Sequence, residues 1–103
     1  MSDLLMVYIT NPTLEKAQAL AQHLLENRLI ACANMMPVHS AYRWEGKIVS
    51  DEEVVLICKT TTAVAPLLVQ AVEAIHPYEV PSIVQIPIQA NMKYAAFVRG
   101  AIE

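Results

Sequence analysis

The hydrophobic positions change period along the chain, and each change marks an element. Leu4 to Thr10 is a short apolar run that stops at Asn11-Pro12. Asn11 there suits a helix cap and Pro12 a first helical position, where a proline gives up no intrahelical hydrogen bond. Leu14, Ala17, Leu20, Ala21, Leu24, Leu25 and Arg28 then recur at spacings of three and four, with Glu15, Lys16, Gln18, Gln22 and Glu26 between them. This spacing predicts an amphipathic helix with one buried stripe. From Leu29 the apolar run is continuous through Ile30-Ala31-Cys32-Ala33-Asn34-Met35-Met36, and after Pro37 it alternates as Val38, Ser40, Tyr42 and Trp44. That is a long strand with a kink at the proline. Glu45-Gly46 supplies a turn and the chain returns through Lys47-Ile48-Val49 and Glu53 to Thr60, so a long hairpin is expected. Thr61 or Thr62 is placed to cap a second helix whose face is Val64, Leu67, Leu68, Ala71, Val72 and Ile75, with Pro66 tolerable in its first turn and His76-Pro77 as its end. Ile83 to Ile88 reads as a fourth strand that Pro87 pushes to an edge or a bulge, and Asn91 opens a short terminal helix through Tyr94, Ala95 and Val98.

The order is therefore βαββαβ plus a C-terminal helix, an α+β class with a four-stranded antiparallel sheet. With 103 residues, residues 1–103 make one domain around one core. Right-handed crossovers put both central helices on one face of the sheet. A second face turned to water would show alternating polarity, yet Val54 to Cys58, Leu4 to Ile9 and Ile30 to Ala33 are apolar at both parities. Both faces need cover, and copies of the same chain are the economical source, so a homo-oligomer is expected. A chain 55 % hydrophobic and only 17 % charged agrees with surface kept for a partner.

The net charge of −3 offers no field for phosphates, and the central strands bring only Tyr8 as a stacking aromatic, so no nucleic acid is expected. Met1-Ser2-Asp3 leads into the first strand without a basic n-region, and no apolar run reaches about 18 residues, so neither export nor a membrane span is indicated. Cys32 and Cys58 sit inside apolar runs and not in a spaced framework, which fits a reducing, cytoplasmic setting.

Four groups of residues carry candidate chemistry. His76-Pro77-Tyr78-Glu79-Val80-Pro81 is a loop in which two prolines restrict the backbone around an imidazole, a phenol and a carboxylate; His76 is either a ligand or a cap on the helix carbonyls. Tyr42 and Trp44, two residues apart on one strand face, suit a subunit interface or the wall of a ligand pocket. Asp51-Glu52-Glu53 could hold a hard divalent ion, but acids entering a strand are more often a solvated edge, and that reading is preferred. A three-residue hairpin loop would set Cys32 and Cys58 nearly opposite each other, where with Met35, Met36 or His39 they would suit copper(I) or zinc; buried cysteines also serve as small hydrophobes. The chain has no glycine-rich phosphate loop, no C-x-x-C, no H-E-x-x-H and no nucleophile elbow, so no enzyme is expected.

Ala31-Cys32-Ala33-Asn34, Tyr42-x-Trp44-x-Gly46-Lys47-Ile48, Glu53-Val54 leading to Lys59-Thr60, and His76-Pro77-Tyr78-Glu79-Val80-Pro81, in this order, resemble the CutA divalent-cation tolerance proteins. The resemblance runs nearly end to end. It implies a ferredoxin-like fold, a homotrimer related in architecture to the PII signalling proteins, and a role in tolerance of copper and other divalent cations. In copper-binding members the ligands are a cysteine near the end of strand one, the histidine of the His-Pro-Tyr motif and a glutamate after the second proline. The corresponding places here hold Ile9, His76 and Ser82, which leaves His76 as the metal ligand with Glu79 as its neighbour. Tyr42, Trp44, Lys59 and Tyr78 would line an intersubunit cleft. The alternative is a PII-like sensor that binds an anionic small molecule or a partner protein there, with Arg43, Lys47 and Lys59 as cationic contacts.

Overall fold

The computed structural model describes residues 3–103; Met1 and Ser2, on which part of the expectation about export rests, lie outside the described residues. The elements are β1 Leu4–Asn11, α1 Leu14–Glu26, β2 Cys32–Trp44, β3 Lys47–Thr61, α2 Ala65–Ile75, β4 Ile83–Ile88 and α3 Met92–Ile102. The strands form one antiparallel sheet in the order β2-β3-β1-β4. This is the expected α+β, ferredoxin-like arrangement.

Strand alternation sorts the apolar residues into two faces. Leu5, Val7 and Ile9 pair with Thr60, Cys58 and Leu56, and these apolar side chains pack with Leu20, Leu24, Leu68 and Val72 of α1 and α2. Leu24, Leu56 and Leu68 have no exposed surface, and each such leucine contributes about 1.5–3 kcal/mol by its burial. On the other face α3 lies over one end of the sheet, where Ala95, Val98 and Ile102 pack with Leu4 and Ala31. The expectation that nothing in the chain covers this face is therefore corrected in part. Two bonds from Arg99 to the Asp3 carboxylate, at 2.7 and 2.8 Å, tie α3 to the start of β1. Beyond α3 the face stays open, with Val84 48 % and Ile86 38 % exposed.

Several boundaries differ from the sequence expectation. A residue before proline avoids helical backbone, so Asn11 remains in β1 and the cap of α1 is Thr13, whose Oγ1 accepts from the Lys16 amide. Asn11 is instead buried and donates to the carbonyls of Ile9 and Val54. Arg28 is not on the buried stripe. It has φ +55°, and the amides of Arg28 and Leu29 donate to the carbonyls of Leu25 and Leu24, a Schellman stop that ends α1. Leu14 and Leu25, expected on the buried stripe, are exposed, as are Leu67 and Ile75 of α2. Neither threonine caps α2: Thr61 is the last residue of β3, the Thr62 amide donates to the Asp3 carbonyl, and the helix starts behind Val64 with Pro66 in its first turn. β2 runs unbroken through Pro37, which an edge strand tolerates.

The hairpin turn has two residues, Glu45 at φ +50° and Gly46 at φ +77°, the left-handed pair that matches the twist of antiparallel strands. It sets Trp44 opposite Lys47 and, down the ladder, Cys32 opposite Lys59. β1 ends its pairing at Asn11 with Val54, so residues 38–53 project past the sheet as a two-stranded arm. The arm contributes to a long axis of 44 Å and carries Ile48 at its tip, 75 % exposed.

Candidate functional site

The base of this arm meets the loop between α2 and β4, and His76 decides how. Its Nδ1 accepts from the Tyr78 amide at 3.1 Å, and its Nε2 lies 2.9 Å from the Thr10 carbonyl. A backbone N–H can only donate, so Nδ1 holds the lone pair and Nε2 the proton, which it gives to Thr10. The imidazole thus ties the loop to the end of β1 and turns Tyr78 over the sheet, the two rings 4.8 Å apart and tilted by 59°. Pro77 holds its own φ near −65° and narrows the choice for His76 before it.

Tyr78 then donates to Glu53 Oε2 at 2.6 Å, and Tyr42 on β2 donates to Asp51 Oδ2 at 2.5 Å. Burial and the bond to Glu53 hold the Tyr78 phenol well above its usual range. The bond to Asp51 raises that of Tyr42. Both hydroxyls stay protonated and act as donors. Tyr42, Trp44, Glu53, Tyr78, Glu79 and Ser82 line a cleft of about 710 Å³.

The structure therefore brings together Tyr42, Trp44, Tyr78 and Glu79, with His76 as the anchor behind the loop. It separates Lys59, which lies about 20 Å along β3 from Glu53 at the rise of a strand and donates to Asn34 at 2.9 Å. The cysteine pair does not form. With a two-residue turn Cys58 pairs with Ala33 and Cys32 with Lys59, and a one-residue change of register sends a side chain to the opposite face. Cys58 lies in the helix-facing core, its thiol pushed up to about 12 by burial. Cys32 is on the other face, 2.9 Å from the hydroxyl of Tyr94 in α3. Ile9 is fully buried and offers no donor. Among the described residues no group of three or more His, Cys, Asp or Glu stands together as a metal cluster.

The sequence reading missed Glu53. Taken as part of a solvated edge, it is only 8 % exposed, because Asp51 and Glu53 share a face with Val55 while Glu52 turns outward to His39. The alternation was present in the sequence, but nothing there indicated that Tyr78 would cover that face.

The family described as CutA1 divalent ion tolerance protein matches residues 5–101. The chain belongs to this family. The divalent-cation tolerance protein CutA of Thermus thermophilus is 46 % identical over 90 % of this chain and 92 % of its own. Human protein CutA is 38 % identical over 93 % of this chain, which spans 55 % of that protein's length. A solved CutA of Archaeoglobus fulgidus, described as a periplasmic divalent cation tolerance protein, superposes with a TM-score of 0.95 at 36 % identity, over 97 % of this chain and 99 % of that one. The family's members are named as tolerance proteins for divalent cations. No helix among the described residues is long and apolar enough to cross a membrane.

Proposed function

We propose that this chain acts in tolerance of divalent cations, copper among them, as a cytoplasmic homotrimer that catalyses no reaction. The observation that carries this reading is the match of residues 5–101 to a family named for that role. The trimer number comes from the resemblance in sequence, and the open part of the second face, with Val84 and Ile86, supports association. So does the arm of residues 38–53, because a two-stranded ribbon without further cover is marginal in water. Two free thiols support a reducing compartment.

His76 is the metal donor of this reading. With Nε2 held by a carbonyl, its lone pair at Nδ1 is the one available for coordination, and such an outer hydrogen bond is what orients ligating histidines. Coordination exchanges the Tyr78 amide for the ion, and Glu79, exposed three residues on, supplies an oxygen. Neighbouring subunits complete the set. Calorimetric titration with Cu(II) tests this: the wild type gives a saturable heat that His76→Ala loses. Identical heats in the two proteins, or no heat in either, would remove His76 from the account.

A further inference from the structure

Two opposite charges stand on the sheet face that α3 covers only at one end. Along β3, Glu53, Val55, Ile57 and Lys59 alternate onto this face, while Leu56 and Cys58 point into the helix-facing core. Glu53 is 8 % exposed, accepts from Tyr78 and, among the described residues, is in no ion pair. Lys59 is half-buried between Met6 of β1 and Cys32 of β2. Its ammonium donates to the neutral Oδ1 of Asn34 at 2.9 Å and, among the described residues, is likewise in no ion pair. A carboxylate and an ammonium withdrawn from water are costly unless each meets the opposite sign. Within the subunit they do not meet, being about 20 Å apart at the rise of a strand.

Cover of this face by neighbouring copies takes the remaining water from both groups. In a closed ring each contact joins one part of a surface to a different part of the neighbour's, so two places on one face come together across the boundary between copies. The other cations are less suited. Lys47 shares the face but stands exposed at the tip of the arm, Lys93 is exposed on α3, and Arg99 is held by Asp3. Arg43, between Tyr42 and Trp44, leaves β2 from the opposite face.

We infer that across each boundary in the oligomer the partner subunit's Lys59 enters the cleft at the base of the arm and pairs with Glu53. The inference rests on the association proposed above, and it makes the cleft complete only between copies. A carbodiimide joins an amine to a carboxylate where the two are in contact, so it reads the pair directly. In the native full chain, peptide mass spectrometry should find Lys59 linked to Glu53, and denaturing electrophoresis should show the linked chains as multimers, since the separation of about 20 Å forbids a link within one chain. A second measurement is light scattering in urea at one fixed protein concentration. Lys59→Met weakens association about ten-fold in the wild type and less than about two-fold in a Glu53→Gln background. Oligomers without the Lys59–Glu53 link, or an equal effect of Lys59→Met in both backgrounds, would overturn the pairing and leave association standing. A folded monomer would remove association itself and the pairing with it. If a variant does not fold, the link in the wild type decides alone.

Discussion

Tyr78→Phe removes one hydroxyl and leaves the ring, so it isolates the bond that closes the loop over the sheet. A hydrogen bond to a charged group contributes about 1.5–3 kcal/mol. The acceptor, Glu53, is almost fully buried, while Tyr78 is partly open to solvent, so water replaces part of the loss and the expected cost is about 1–2 kcal/mol. In a Glu53→Gln background the same truncation costs about half as much, since a neutral acceptor makes a bond roughly half as strong. Within one subunit, Glu53→Gln alone is neutral or stabilising, because among the described residues no cation pairs with this buried carboxylate. Urea unfolding of the four proteins at one fixed protein concentration measures this cycle, the concentration being held because association adds to apparent stability. A Tyr78→Phe cost below about 0.3 kcal/mol, or the same cost in both backgrounds, would refute the assignment of the bond to Glu53.

The two glycines should respond in opposite directions. Gly46→Ala costs about 1 kcal/mol because φ is +77° there, whereas Gly100→Ala, within α3 and with nothing within 4 Å of an added Cβ, stabilises by about 0.5–1 kcal/mol; thermal unfolding distinguishes them. Native alkylation should modify Cys32 and spare Cys58, whose thiol burial pushes up to about 12; mass spectrometry should show a second adduct only after denaturation. Asp3 is lowered from 3.8 to about 2 by its bonds to Arg99. Its contribution is complete above pH 3.8 and lost as pH falls towards 2, so Asp3→Asn should flatten the acid side of the stability profile measured by denaturant titration at stepped pH.

Much of the fold could be read from the sequence because local pattern and tertiary packing agree over most of the chain. The stripe of Ala17, Leu20, Ala21 and Leu24 is buried as its spacing predicts. The disagreements arise where a single residue sets the geometry of many. The choice of a two-residue over a three-residue turn at Glu45-Gly46 moved Cys32 and Cys58 to opposite faces. Pro12 kept Asn11 extended and so transferred the cap to Thr13. The candidate site was legible in its parts, since Tyr42, Trp44, Tyr78 and Glu79 line one cleft, although Lys59, expected with them, does not. Its floor was not. The burial of Glu53 depends on a loop that His76 holds to Thr10, a contact across 66 positions of sequence that neither periodicity nor motif spacing encodes.

Association is the proposal on which the trimer and a shared metal site both depend, and the open strip beyond α3 and the arm of residues 38–53 support it. Size-exclusion chromatography with light scattering at micromolar concentration measures it directly. The account predicts a single species with the mass of three chains of 11.4 kDa. A soluble, folded species with the mass of one chain would contradict it.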